Sequence, residues 1–198
     1  MKRLIYLSLL LALVMTKANA YEEVAGFNGP TWYDYREDIT EGGGYEDNPY
    51  LIKTPGQLAM MAYRVNIQGE TSNHYQIAAD IDLTKRVNRE RVLWVPIGLN
   101  ESKAFSGTLT NPDKHTIEGM MINVNSTETT QYFGLIGYLK GTIDGIRLAG
   151  DSEIKLSNSG DYNAGLLCGR VDGGSYVKNC NVEDCFITGT NLNGTVYI

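Results

Sequence analysis

Tyr132-Phe133-Gly134-Leu135-Ile136-Gly137-Tyr138-Leu139 and Ala164-Gly165-Leu166-Leu167-Cys168-Gly169-Arg170-Val171 align at an offset of 32 residues. A second block follows each. Thr142-Ile143-Asp144-Gly145-Ile146-Arg147-Leu148 matches Tyr176-Val177-Lys178-Asn179-Cys180-Asn181-Val182 at an offset of 34, and Thr116-Ile117-Glu118-Gly119-Met120-Met121-Ile122 reads as an earlier copy 26 residues upstream. Short repeats of this length hold two or three strands with their turns. Stacking them buries one apolar column per inward position. The expected columns are Ile117, Ile143 and Val177; Met120, Ile146 and Cys180; and Ile122, Leu148 and Val182. A sandwich has no reason to repeat a block at this spacing, and a propeller blade needs about 40 residues and four strands. The fold class read from the repeats is therefore all-β, a parallel β-helix.

Upstream of the repeats the pattern is also β-type. Tyr75, Ile77, Ala79, Ile81 and Leu83 alternate with Gln76, Ala78, Asp80 and Asp82, which predicts one buried face. Short segments at Val92 to Ile97, Phe105 to Leu109 and Ile117 to Val124 are punctuated by Gly, Asn, Asp and Ser. One helix is signalled. Thr54-Pro55-Gly56-Gln57 supplies an N-cap, a proline at the first helical position and a capping-box Gln, and Leu58, Met61, Ala62 and Val65 form one stripe. Asn66 to Gly69 ends it. Residues 21–48, with Gly42-Gly43-Gly44 and many tyrosines and acids, read as an irregular and partly flexible arm.

Met1-Lys2-Arg3, the apolar run Leu4 to Met15 and the Ala18-Asn19-Ala20 cleavage spacing together read as a secretory signal peptide over residues 1–20. The expected organisation is then the arm at 21–48, a capping helix and first coils at 49–125, and repeat coils at 126–198 that stop as another begins. Loss of the leader, with Lys2, Arg3 and Lys17, takes the net charge from −6 to −9. So acidic a chain, read as poor in basic clusters, points away from nucleic acid and from anionic membrane. No second apolar stretch is long enough to span a bilayer, so no membrane insertion is expected after cleavage. Cys168, Cys180 and Cys185 are odd in number and lack C-x-x-C spacing, which reads as core filler; a single bridge between two of them stays open.

Phe133-Gly134-Leu135-Ile136-Gly137-Tyr138 and Gly165-Leu166-Leu167-Cys168-Gly169-Arg170 resemble the GLUG motif, a glycine-rich repeat of exported bacterial proteins, with Gly134, Leu135, Gly137, Gly165, Leu167 and Gly169 as its marked positions. Asp47 to Ile52, Gln57-Leu58-Ala59, Ala79 to Leu83, Trp94 to Gly98, Phe105 to Leu109 and His115 to Gly119 look like the run that precedes such repeats, so the likeness covers residues 45–190. Cys168 departs from the usual aliphatic residue, and Asn111-Pro112-Asp113-Lys114 from a more glycine-rich turn. The resemblance implies a right-handed parallel β-helix at the cell surface or outside it, used in adhesion or as a spacer. Such repeats also accompany immunoglobulin-cleaving metalloproteases.

The sequence offers little chemistry. His74 and His115 form no H-E-x-x-H, and there is no G-x-S-x-G elbow or phosphate loop. Asp80 and Asp82 lie on the outward side of one strand, two ligands where Ca²⁺ takes about six to eight. Glu118, Asp144 and Lys178 read as a solvated ladder of mixed charge. The expectation is a protein that is not an enzyme and has no catalytic residues, metal or cofactor. Trp32, Tyr33 and Tyr35 on the arm suit sugar stacking or protein recognition, or else cap the open end of the coil. Expected partners are a host or matrix glycan or protein, and a second chain at the open C-terminal coil. The alternative function is an accessory module of a longer secreted enzyme.

Overall fold

The computed structural model describes residues 26–27, 29–125, 131–157, 161–190 and 196–197. The signal peptide expected at residues 1–20 lies outside them.

The chain winds as a parallel β-solenoid of about three turns, preceded by one helix. Strand β1 (Tyr50–Ile52) and helix α1 (Pro55–Tyr63) lead into β2 (His74–Ile77) and β3 (Ile81–Asp82). A projecting antiparallel hairpin, β4 (Arg86–Val87) with β5 (Glu90–Arg91), interrupts the first turn. The second turn is β6 (Thr108–Thr110), β7 (Thr116–Glu118), β8 (Met121–Asn125), β9 (Gln131–Phe133) and β10 (Ile136–Leu139). The third repeats it with β11 (Thr142–Asp144), β12 (Arg147–Ala149), β13 (Ser152–Ser157), β14 (Tyr162–Ala164) and β15 (Cys168–Val171). A fourth opens with β16 (Tyr176–Lys178), β17 (Asn181–Val182), β18 (Cys185–Thr190) and β19 (Val196–Tyr197). Strands at equivalent places stack into parallel sheets, the largest running β1-β2-β6-β11-β16.

Register in that sheet is regular. His74 pairs with Thr108, Thr108 with Thr142 and Thr142 with Tyr176, so the chain returns to the same place every 34 residues. The inward column is Tyr75, Leu109, Ile143 and Val177. This corrects the expected columns. Between the last two turns they hold: Ile143 lies on Val177, Leu148 on Val182, and Cys180 precedes Asn181 as Ile146 precedes Arg147. Their earliest members, which lie in the second turn, are misplaced. Ile117 lies on Ile81 and Leu148 in a neighbouring sheet. Ile122 lies on Ile154, which in turn lies on Ile187, while the Met120 N–H donates to Ser152 Oγ at 3.1 Å. The cause is turn chemistry. Ile117-Glu118-Gly119 and Ile143-Asp144-Gly145 both end a strand on an acid and a glycine at positive φ (71° and 75°), but at two different corners of the coil.

The glycine motif needs a similar one-residue correction. Ile136 pairs with Cys168 and Leu139 with Val171, at the 32-residue offset. Phe133, however, pairs with Ala164, so the second copy carries one extra residue between its strands. A methyl group added at Gly134 would run into Gly165 O, and one at Gly137 into Gly98 O. Close stacking of backbone on backbone is thus what these glycines permit.

Helix α1 forms as its signals predict. The Gln57 N–H donates to Thr54 Oγ1 at 3.1 Å, although the Gln57 side chain reaches Lys53 N–H (2.8 Å) rather than that of the cap. Leu58, Met61, Ala62 and Val65 are fully buried against the first turn. The turns at Arg64–Gln68 widen and close at Gly69, which is left-handed. The described part of the arm departs from the expected flexible segment. Trp32 N–H donates to Leu93 O and Leu93 N–H to Pro30 O, both at 2.9 Å, stitching the arm to the solenoid, and Trp32, Tyr33 and Ile39 join the core.

Candidate functional site

Trp32 and Tyr33 are 5% and 1% exposed, which corrects their candidacy as stacking platforms. Their rings close the start of the coil, Tyr33 packing edge-on against Tyr63 at 5.4 Å. Tyr35 is half-buried, and its ring is covered by Lys85 Nζ at 4.6 Å and by the edge of Trp32. It borders a groove of about 530 Å³ lined also by Arg36, Glu37, Asp82 and Thr84. Much of that polar lining holds the arm in place. Arg36 Nη1 donates to Tyr33 O at 2.6 Å, and Thr54 Oγ1 to Glu37 Oε2 at 2.5 Å.

The acids regroup once the true register is drawn. Glu118 stands beside Asp82, not Asp144, and the two border a shallow 250 Å³ depression with Asp80 and Thr116. Two hydrogen bonds from Thr84 hold the Asp82 carboxyl below its ordinary range, so it is a fixed negative charge. Asp80 accepts from Thr116 N–H at 2.8 Å and lies 3.5 Å from His115 Nδ1, tying one turn to the next. Asp144 pairs with Lys178 in register and accepts from Asn179 Nδ2 at 2.8 Å. Among the described residues no three of His, Cys, Asp and Glu are placed to hold a metal ion.

The three thiols are free and half-buried, packed against the core in the last two turns. Burial pushes Cys168 up to about 12 and raises Cys180 and Cys185, so these are protonated, weakly reactive groups. Around them the solenoid is open. Val171, Val177 and Val182, which lie on the buried Leu139, Ile143 and Leu148, are 46%, 43% and 38% exposed.

The feature passed over in the sequence is the hairpin. Lys85-Arg86-Val87-Asn88-Arg89-Glu90-Arg91 places four cations against one acid in seven residues of a chain whose net charge is −6. Charge counted in a short window, rather than over the whole chain, would have found it. Lys85, Arg86, Asn88, Arg89 and Glu90 are exposed. Arg91 turns back, donating to Gly119 O and to Asp151 O (3.1 Å), and so pins the hairpin to two corners of the coil.

No protein-family profile matches the chain, and no solved structure matches it. It is 33% identical over 144 residues to a protein of Evansella cellulosilytica named as a Gly-rich membrane protein. That similarity covers 72% of this chain and 15% of the relative. Among the described residues no helix is long and apolar enough to cross a membrane.

Proposed function

We propose that this chain is an exported, non-enzymatic β-solenoid that presents a binding surface outside the cell, in adhesion or as a spacer. The observation that carries the reading is the stacked frame itself: the chain returns to the same place every 34 residues, so outward side chains, among them the exposed Lys85, Arg86 and Arg89 of the hairpin, are held on a stiff rod. The leader-like residues 1–20, the resemblance to GLUG repeats and the similarity to a membrane protein support a place at the cell envelope. Protease shaving of intact cells carrying the full-length protein, followed by detection of solenoid peptides, tests this. Release of those peptides without lysis is expected; retention until the cells are broken overturns it.

A second reading, an accessory module of a longer secreted enzyme, is favoured by one fact: the similarity spans only 15% of the relative. A catalytic domain encoded in the same reading frame decides for it.

A further inference from the structure

Two choices in the hairpin run against stability. The turn is Asn88-Arg89, with φ of 51° and 73°, between the paired residues Val87 and Glu90. That geometry belongs to a two-residue hairpin turn whose second place strongly favours glycine, and an arginine there is strained. One pair further down, Arg86 stands opposite Arg91. Like charges directly across a strand pair repel. Burial first, and Arg86 after it, depress the Arg91 pKa, and the carboxylates of Asp151, Glu153 and Asp82 offset this only in part. Local rules broken together at an exposed site mark a place shaped by something other than folding.

We propose that the Lys85–Arg91 hairpin binds a carboxylated polysaccharide, with the Arg86 and Arg89 guanidinium groups gripping its carboxylates. The proposal rests on the binding-surface reading above and names its partner class. Guanidinium forks match carboxylates two hydrogen bonds at a time. Arg86 Nη1 donates to the Arg89 backbone carbonyl at 3.2 Å, which ties the Arg86 side chain to the tip, and both residues are exposed. In the adjoining groove Glu37 and Asp82, each already accepting a hydrogen bond, keep carboxylate lone pairs that suit sugar hydroxyls. Those same acids, with Glu90, penalise a phosphate-dense polymer such as nucleic acid, which carries one charge per about 1.7 Å. A polyuronate, with one charge per sugar, is the less densely charged polyanion and fits that constraint.

The test uses the purified protein and its Arg86→Glu and Arg89→Gly variants on immobilised polygalacturonate, with dextran, a DNA duplex and phosphatidylglycerol vesicles as competitors. Arg86→Glu sets an opposite charge across from Arg91, and Arg89→Gly creates the preferred Asn-Gly turn. Each variant is therefore expected to raise the melting temperature, by about 2–4 °C, while weakening retention about tenfold. Wild-type binding should fall between about 50 and about 200 mM salt and resist dextran. Unchanged binding in the variants, no retention of the wild type, or stronger competition by DNA or vesicles overturns the proposal. Peptides released by shaving, with no retention on polygalacturonate, would overturn this inference and leave the location standing.

Discussion

Asn66 Nδ2 lies 2.6 Å from Tyr33 Oη, in a site where neither residue meets solvent. The same amide nitrogen donates to Pro96 O at 2.8 Å, and Asn66 Oδ1 accepts from Gly98 N–H (2.9 Å) and Leu99 N–H (3.1 Å). One side chain thus joins the turn after α1, the arm and the corner before β6. Its hydrogen-bonding capacity is filled, and removing it takes a partner from polar groups on two segments, the arm and Pro96–Leu99. Asn66→Ala is expected to cost about 3–5 kcal/mol, measured by urea unfolding, with the arm becoming the first site of proteolysis.

Gly141 and Gly173 make a matched pair. Neither has a positive φ, so neither is glycine for its own backbone freedom. A methyl group at Gly141 would overlap Gly107 O on the turn beneath, while one at Gly173 meets nothing. Gly141→Ala should therefore destabilise the protein by more than about 2 kcal/mol. Gly173→Ala should be neutral or stabilising by a few tenths of that, and thermal unfolding of the two variants side by side checks both.

The parts of this fold legible in the sequence are those where one physical cause acts alone. Thr54 and Pro55 start α1 whatever packs on it, and Ile136 with Cys168 or Ile143 with Val177 repeat because each turn buries the same face. Register failed at Ile117, where two corners share an acid-glycine turn, and at the extra residue of the second glycine motif, which no apolar spacing reveals. Asn66 was out of reach because its partners lie about 30 residues away on either side. Trp32 and Tyr33 allow two readings in the sequence, a stacking platform or a cap, and their burial with the Leu93 pairing decides against the platform. The hairpin arginines are hidden by averaging: a net negative chain reads as poor in basic clusters although Lys85–Arg91 is one.

Tyr75 gives the stability a defined alkaline limit. Burial in the inward column pushes its phenol up to about 12 from 10.0. Because the folded pKa exceeds the unfolded one, stability is fully present below about pH 10 and is lost as pH rises toward about 12. Tyr75→Phe removes the ionisable group and should flatten that limb. Between about pH 8 and about pH 11 the wild type is expected to lose about 1–2 kcal/mol more unfolding free energy than the variant. An identical pH profile for the two proteins would count against it.

The exposed last turn makes its own demand. Val177 and Val182 continue the columns of Ile143 and Leu148, and β18 offers a six-residue edge beside them. Helix α1 and the arm occupy the opposite end, so copies cannot stack head to tail. Self-pairing is therefore limited to two last turns facing each other, a closed arrangement related by a two-fold axis. Residues 21–198 should accordingly sediment as a concentration-dependent dimer. Lysine at both Val177 and Val182 should return a monomer while changing the unfolding free energy by less than about 1 kcal/mol, since those side chains are already substantially solvated. A wild-type chain that stays monomeric at every accessible concentration would mean that the exposed columns are covered from within its own polypeptide.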